Sequence, residues 1–264
     1  MATQENYGPT SYGDELADIY DNWIVRLQDD TEDTVRVLGE LADSAARASG
    51  AKRILELGVG TGRVALPLSE RGLEITGIDA SPDMLDRLRE KPGSHRVTLV
   101  QGDFADHTAE GPFALVYIVF NTLYSLSSQE EQLNCLSNAA RLLPDEGLFV
   151  VQGFVPDTAR FEMARQSQQL MEVARSEESS LNLGVARHDP VTQRMWPHYS
   201  LRDSANSRDH IVQFRYVWPS ELDLMARLAG LTLEQRYGGW DRSPFTGESQ
   251  QHVSVYRKTG AARP

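Results

Sequence analysis

The feature that most constrains the fold of this 264-residue chain is the alternation of apolar and amphipathic segments between residues 51 and 154. The apolar stretches "RILELGV", "LEITGIDA", "VTLVQGD", "FALVYIVFN" and "GLFVVQGF" have the length of strands, and helical periodicity fills most of the intervals between them. Uninterrupted apolar strands that alternate with helices are typical of a parallel sheet with helices on both faces. The sequence therefore predicts a doubly wound α/β fold.

The segments on either side of this region extend the prediction. Helical periodicity runs through "DELADIYDNWIVRL" and "DTVRVLGELADSAARA", and the second of these helices is expected to end at Gly50. After Phe154 a helix is expected over "DTARFEMARQSQQLMEVAR". The runs "TQRMWPHYSLRD" and "DHIVQFRYVW" are rich in strand-forming residues and predict an antiparallel hairpin above the main sheet.

The C-terminal segment predicts one helix and two strands. The helix covers "PSELDLMARLAG", with Ser220 as its N-terminal cap and Gly230 at its end. The strands "LTLEQRYGGW" and "QHVSVYRK" are joined by a short loop and must pair antiparallel. We expect three units: a helical lid and cap (residues 1–50), a core (51–155 and 216–264) and an inserted segment that covers the substrate (156–215).

Composition narrows the class of partner. The chain carries 26 basic and 38 acidic side chains, a net charge of −12, and nucleic-acid backbones are bound mainly by basic residues. We therefore expect no nucleic-acid partner, and an acidic surface favours a small-molecule substrate, such as a cationic amine. A homo-oligomer is compatible with this composition.

The lack of several sequence signals predicts the cellular compartment and the absence of a metal site. The N-terminal residues show no secretion signal, no apolar run is long enough to span a membrane, and the one cysteine, Cys135, cannot form an intrachain disulfide. These features predict a cytoplasmic protein with no membrane partner. No set of His, Cys, Asp and Glu has a convincing metal-ligand spacing, so we expect no metal site.

The glycine-rich stretch "LELGVGTGR" follows the first predicted strand. Glycines at 58, 60 and 62 allow a tight turn and close approach of a ligand to the backbone. A dinucleotide fingerprint requires glycine or alanine where this chain has Arg63, and the Gly-Lys-Ser/Thr ending of a triphosphate loop is absent. Both phosphate-binding interpretations are therefore weakened.

Three residues at the ends of the next two strands indicate an adenosine site. Asp79 ends the second strand, where a carboxylate can accept both hydroxyl groups of a ribose. Asp103 and Phe104, in "QGDF", end the third strand and could bind the exocyclic amine and cover the face of adenine. Because dinucleotide enzymes also carry an acid like Asp79, that residue does not discriminate by itself.

The ordered set "LELGVGTGR", "GIDAS" with "DML", "VQGDF" and "FALVYIVFNTLYSL", with the final pair of strands, resembles the class I S-adenosylmethionine-dependent methyltransferases. The resemblance implies a Rossmann-like seven-stranded sheet of order 3-2-1-4-5-7-6, with an inserted antiparallel hairpin or small sheet over the active site. It also implies S-adenosylmethionine as cofactor. The cofactor-binding residues that it implies are Tyr12, Tyr20, Glu56, Gly58, Gly60, Asp79, Ala80, Met84, Asp103, Phe104 and Val119.

Within this set the resemblance assigns parts of the cofactor. Glu56 and the glycines would surround the methionyl part, Asp79 would hold the ribose, and Ala80 and Met84 would line the adenine pocket. Phe120 and Asn121, in "VFNTLY", would lie beside the transferring methyl group, and Tyr12 and Tyr20 would close a lid over the cofactor. These residues do not identify the acceptor, and the catalytic candidates are Phe120, Asn121, Tyr12 and His198.

The stretches "ELADIYDNW", "VFNTLYSL" and "FRYVWPSELDLMARLAGL" resemble bacterial natural-product N-methyltransferases that act on amino sugars and lincosamide-type antibiotic intermediates. Transfer to an amine nitrogen needs no strong protein base, which suits a chain whose only well-placed histidine is His198. The other five histidines lie in polar stretches and are expected at the surface. Two alternatives stay open: O-methylation of a sugar or phenol with His198 as base, and a noncatalytic cofactor-binding subunit. A dinucleotide oxidoreductase is a remote third.

Overall fold

The computed structural model describes residues 7–27, 30–106 and 109–259. The strands, in chain order, are β1 (Ile54–Leu57), β2 (Ile75–Asp79), β3 (Val97–Gln101), β4 (Leu115–Ile118), β5 (Leu148–Phe154), β6 (Met171–Arg175), β7 (Ser179–Asp189), β8 (Arg194–Asp203), β9 (Ser207–Ile211), β10 (Phe214–Arg215), β11 (Leu231–Tyr237) and β12 (Gln251–Lys258). The α-helices are α1 (Ser11–Leu16), α2 (Thr31–Ser49), α3 (Ala65–Glu70), α4 (Pro82–Arg89), α5 (Gln129–Leu142), α6 (Thr158–Ser167) and α7 (Pro219–Leu228).

The main sheet has the predicted seven strands in the order β3-β2-β1-β4-β5-β12-β11. Strands β1 to β5 pair parallel, whereas β12 lies antiparallel between β5 and β11. Counted within this sheet, the order is 3-2-1-4-5-7-6, so the predicted fold class is confirmed. The carboxyl ends of β1, β2, β3 and β4 share one edge, where ligands of open α/β sheets bind.

Both faces of the main sheet are buried. Leu55, Val116 and Phe149 pack on the face that α5 covers, and Ile54 and Leu115 pack on the face that α2 and α3 cover. This two-sided burial explains why the strands read as uninterrupted apolar runs rather than as alternating ones. Gly50 ends α2 with a φ of 78°, as predicted.

A second, antiparallel sheet, called the roof sheet below, contains β6 to β10. Strand β8 is its centre and pairs with β7, β9 and β10. The predicted hairpin corresponds to part of this sheet. The predicted helix over residues 157–175 is wrong in its second half, because α6 ends at Ser167 and residues 171–175 form β6. Pairing with β7, which the sequence did not predict, holds β6 extended despite its helix-forming residues.

Two further local predictions are corrected. The long helix expected in the N-terminal region is broken into α1, a π-helical turn over Tyr20–Ile24 and a 3₁₀ turn over Val25–Leu27. Ser220 is inside α7 rather than its cap, because Pro219 takes the first helical position, where its missing N–H costs no hydrogen bond. In the ranges described above, no helix is both long and apolar enough to cross a membrane. The boundaries of the three predicted units remain a prediction.

Candidate active site

The glycine loop after β1 is fixed by its backbone. The N–H groups of Gly58 and Val59 both donate to the carbonyl oxygen of Ile78, at 2.8 and 2.9 Å. Gly58 has a φ of 72°, and a β-carbon there would lie 2.3 Å from Cγ2 of Thr122, so only glycine fits. Gly60 has a φ of 54°, but no atom lies within 4 Å of where its β-carbon would be. The loop is therefore tight on one side and open on the other.

Asp79, at the end of β2, is held by backbone donors. Its Oδ2 accepts the N–H of Gly60 at 2.7 Å, and its Oδ1 accepts the N–H of Ser81 at 2.9 Å. Burial raises the pKa of the Asp79 carboxyl, while these N–H donors lower it. The carboxylate is thus oriented against the open side of the glycine loop.

Glu56, in β1, is a second buried acid at this edge of the sheet. Its side chain accepts a hydrogen bond from the hydroxyl group of Tyr117 at 2.9 Å. Burial raises the pKa of Glu56 to about 8, against the opposing effects of Tyr117 and of the Arg63 charge. No basic side chain of the described ranges forms an ion pair with Glu56 or Asp79. Both carboxylates could therefore bind ligand groups that compensate their burial.

The residues predicted around adenine lie next to these acids. Ala80 and Met84 are buried after β2, and Phe104 is buried after β3, with its Cε1 3.6 Å from the β-carbon position of Gly58. Asp103 accepts the N–H of Ala105 at 2.8 Å, and burial raises the pKa of its carboxyl. The structure brings all four residues to the same edge as Asp79.

Phe120 and Asn121, called the Phe120 corner below, follow β4 and the buried Val119 in a strained backbone conformation. Their φ values are 57° and 65°, in the left-handed region that non-glycine residues rarely adopt. Gln152 of β5 holds both residues: its side-chain oxygen accepts the N–H of Phe120 and its carbonyl oxygen accepts the N–H of Asn121. The side-chain oxygen of Asn121 in turn accepts the N–H of Phe154 at 2.8 Å.

Aromatic rings from the N-terminal arm (residues 7–27) approach this corner. The ring of Tyr20 lies edge-on to Phe120 at 6.3 Å and to Tyr12 at 6.5 Å between centroids, and Tyr12 stacks on Phe214 of the roof sheet at 5.9 Å. The Arg63 guanidinium lies 4.7 Å from the centre of the Phe120 ring. Burial raises the pKa of both tyrosines, so both phenols keep their protons at neutral pH.

The arm is attached to the glycine loop and to α4. Asp21 accepts a hydrogen bond from the Thr61 hydroxyl at 2.6 Å and forms an ion pair with Lys91 at 2.7 Å. On α1, a β-carbon at Gly13 would lie 2.3 Å from Cβ of Ser81, so the helix contacts the start of α4 with no room to spare. These contacts place the two tyrosines over the carboxyl edge of the sheet.

The structure does not bring His198 to the Phe120 corner. Its Nε2 lies 3.0 Å from Oδ1 of Asp209, and the side chain lines an open cavity of about 270 Å³ with Gln168 and Leu170. The neighbouring Tyr199 is buried in the core that contacts Tyr12 and Tyr20, and successive strand residues face opposite sides of a sheet. His198 therefore lies on the outer face of the roof sheet.

Two histidines that were expected at the surface are buried. His252 lies in β12, is fully buried and has its Nδ1 2.9 Å from Oγ of Ser254, and burial lowers its pKa to about 3. The His188 side chain is 2% exposed. The surface prediction is wrong for both, because one strand is central in a sheet and the other packs on α6. His107 lies outside the described residues.

Sequence reasoning missed Arg63 and Gln152 as parts of the site. An arginine directly after the glycines is the sequence signal for Arg63. Gln152, a polar residue within the apolar run "LFVVQGF", was a second signal. The ranges that the structure describes contain no group of three or more His, Cys, Asp and Glu side chains arranged to hold a metal ion.

Comparison with known proteins identifies the family. A family described as a methyltransferase domain matches residues 54–147. The solved structure of the CcbJ methyltransferase from Streptomyces caelestis is 35% identical, with a TM-score of 0.83 over 96% of this chain and 100% of that one. The chain is a class I S-adenosylmethionine-dependent methyltransferase.

Two further proteins are similar to this methyltransferase. The cypemycin N-terminal methyltransferase of a Streptomyces species is 26% identical over 215 residues, which cover 81% of this chain and 86% of that protein. The sugar N-methyltransferase KedS8 from Streptoalloteichus sp ATCC 53650 shares the fold, with 19% identity and a TM-score of 0.67 over 97% of this chain and 99% of that one. S-adenosylmethionine is the cofactor of this family, and the two buried acids and the open side of Gly60 fit it.

Replacing Gly13 by alanine is expected to weaken cofactor binding. Alanine favours a helix over glycine, but its β-carbon would collide with Ser81 and push α1 away from α4. We expect the Kd for S-adenosylhomocysteine, measured by calorimetry, to rise roughly tenfold, a loss of about 1.4 kcal/mol. Gly8→Ala is the matched control, because its β-carbon would meet nothing within 4 Å. Equal affinities for the two variants would contradict the proposed contact.

Replacing Glu56 by glutamine is expected to stabilise the cofactor-free protein at high pH and to weaken cofactor binding. The pKa of Glu56 is raised to about 8 in the folded protein, so its contribution to stability is lost as pH rises from 4.5 toward 8. The Glu56→Gln variant should therefore gain stability relative to the cofactor-free wild type as pH rises from 5.5 to 8.5. Each kcal/mol gained in the free energy of unfolding should raise Tm by about 2–4 °C. The same variant should bind S-adenosylhomocysteine more weakly. If the difference in Tm between the variant and the wild type did not change with pH, the raised pKa of Glu56 would be refuted.

Proposed function

We propose that this methyltransferase transfers a methyl group to an amine nitrogen of a small molecule, an antibiotic or amino-sugar biosynthetic intermediate. The observation that carries the proposal is the surroundings of the Phe120 ring: it contacts the Arg63 guanidinium and the Tyr20 ring, and the phenol of Tyr20 stays protonated. Such a corner can align and shield two reactants but offers no strong base.

The cofactor half of the proposal rests on the two buried acids. Asp79 would accept the ribose hydroxyl groups, and Glu56 would face the ammonium group of the methionyl part, because each is a buried acid with no ion-pair partner in the part of the chain that the structure describes. Bound S-adenosylmethionine supplies a methyl group already activated by a positively charged sulfur. The residues of this chain therefore need to hold and orient the cofactor and the acceptor and to exclude water.

Phe120 and Tyr20 would perform the orienting step. The face of an aromatic ring attracts a nearby cation, and the left-handed backbone at Phe120 turns its ring toward Tyr20 and Arg63. The side-chain oxygen of Asn121 is engaged with the N–H of Phe154, so we assign Asn121 to positioning the corner rather than to chemistry. Tyr12, stacked on Phe214, would close the arm over the bound reactants.

Nitrogen is favoured over oxygen as the acceptor atom for a physical reason. An unprotonated amine attacks a methyl group directly, whereas an alcohol must first lose a proton to a base. His198, paired with Asp209 on the outer face of the roof sheet, does not supply that base at the Phe120 corner. The name of the cypemycin N-terminal methyltransferase, whose sequence is similar over most of both chains, supports the same choice.

The product of methyl transfer tests the proposal directly. The enzyme would be incubated with methyl-labelled S-adenosylmethionine and matched amines and alcohols, and the products analysed by tandem mass spectrometry. We expect the label on nitrogen, with a rate that rises with pH until the acceptor amine is unprotonated. Label found only on oxygen would support the rival O-methyltransferase, and cofactor binding without transfer to any compound would support a noncatalytic subunit.

Removing the ring of Phe120 is expected to slow the transfer step. Phe120→Leu keeps an apolar side chain but loses the aromatic face that aligns the reactants. We therefore expect kcat to fall about 10- to 100-fold, while the Kd for S-adenosylhomocysteine changes little. Phe120→Tyr, which keeps the ring, is the matched control and should retain most of the activity. His198→Gln should change kcat less than twofold across pH. A larger loss in the His198 variant than in Phe120→Leu would reverse these assignments.

A further inference from the structure

A second group of aromatic side chains lies beyond the Phe120 corner. Phe154, Phe161, His188 and Tyr216, called the distal cluster below, come from β5, α6, β7 and the segment after β10. The ring centroid of Phe161 lies 5.9 Å from Phe154, 5.5 Å from His188 and 5.6 Å from Tyr216. The geometry is edge-on or tilted in each pair, as is typical of packed aromatic rings.

The distal cluster is joined to the Phe120 corner through Phe154. The backbone N–H of Phe154 donates to the side chain of Asn121 at 2.8 Å, and its carbonyl oxygen accepts a hydrogen bond from the hydroxyl of Tyr124 at 2.9 Å. The cluster therefore begins at a residue that contacts the corner and continues into α6 and β7. His188 pairs across the roof sheet with Met195, and Met195 pairs with Phe214, so these three side chains share the face whose Phe214 ring contacts the arm.

His188 is the polar member of the cluster, and one of its nitrogens is unsatisfied. Its Nε2 lies 3.1 Å from the hydroxyl oxygen of Tyr216, whereas its Nδ1 is buried with no hydrogen-bond partner in the described residues. The nearest acid is Glu162, at 3.9 Å, which is too far for a hydrogen bond and is already bound by Arg165 and Gln166. Leaving such a nitrogen unpaired costs about 1–3 kcal/mol, which a ligand could recover.

We propose that the distal cluster is an acceptor-binding subsite, in which Nδ1 of His188 forms a hydrogen bond with a hydroxyl group of the acceptor while Phe161 and Tyr216 pack against its apolar face. This inference rests on the proposed function, because it assigns a place to the part of the acceptor that does not react. It predicts that the acceptor is a hydroxylated amine rather than a purely apolar one.

The chemistry of the imidazole selects a hydroxyl group. The tautomer sets whether Nδ1 donates or accepts, and a hydroxyl group can do either. Burial lowers the pKa of His188, so the ring is neutral at neutral pH and offers no charge to a phosphate or a carboxylate. The surrounding rings provide the apolar surface that a saturated ring with hydroxyl substituents requires.

Matched small amines test the subsite without knowledge of the natural acceptor. The probes are the 2-, 3- and 4-aminocyclohexanols, with cyclohexylamine as the probe that lacks the hydroxyl. Binding to the enzyme saturated with S-adenosylhomocysteine would be measured by calorimetry. We expect at least one aminocyclohexanol to bind about 5- to 10-fold more tightly than cyclohexylamine, as one neutral hydrogen bond provides.

The His188→Phe variant, which keeps a ring of similar size, should abolish this preference and leave the affinity for S-adenosylhomocysteine unchanged. Tyr216→Phe is the matched control, because it removes the partner of Nε2 but leaves Nδ1 in place, so part of the preference should remain. The ¹⁵N resonance of His188 Nδ1 in the wild type gives a second readout that does not depend on a variant. It should shift with the preferred aminocyclohexanol and not with cyclohexylamine.

The outcomes separate the subsite from the proposed function. A hydroxyl preference that persists in His188→Phe, or no preference with any isomer, overturns the subsite, even if labelled methyl groups reach the amines. A preference that depends on His188, together with methyl transfer only to the hydroxyl oxygen, keeps the subsite and overturns the proposed transfer to nitrogen. Transfer to nitrogen with a His188-dependent preference supports both.

Discussion

The constraint on which the rest of this structure depends is the burial of two acidic side chains at one edge of a parallel sheet, neither of which has an ion-pair partner among the described residues. Glu56 and Asp79 have pKa values raised by burial, and a folded protein keeps such groups only where something compensates them. Backbone N–H groups and one phenol compensate them in part. We propose that a cofactor on the open side of the glycine loop compensates the remainder, so that binding and folding would depend on the same two residues.

The surrounding elements of the described chain position side chains at this edge of the sheet and supply no reactive group of their own. The arm places Tyr12 and Tyr20 over the acids through contacts of Gly13 and Asp21, and β5 holds Phe120 in a strained conformation through Gln152. Because the cofactor brings its own activated methyl group, the work of the protein is alignment and exclusion of water. Among the described residues, the aromatic ring and the guanidinium that contact Phe120 are not bases, which is consistent with an amine acceptor.

The sequence predicted the main sheet because its strands are buried on both faces and its helices carry clear start and stop signals. It predicted that Gly58, Asp79 and Phe104 meet at one edge of the sheet, because they follow successive parallel strands, whereas their contact with the cofactor remains a prediction. It could not predict β6 and β7, whose extended conformation comes from pairing in a sheet rather than from local propensity. It also misplaced His188, His198 and His252, because which face of a strand is covered depends on distant elements such as α6 and the arm.

The central claim, that cofactor binding completes a site built around a buried and protonated acid, is tested by the protons released when S-adenosylhomocysteine binds. At pH 7 a Glu56 with a pKa of about 8 is mostly protonated and would ionise to face the ammonium group of the ligand. Calorimetry in buffers of different ionisation enthalpy should show release of close to one proton per site, about 0.5–1. Binding with no proton release at pH 7 would contradict the account.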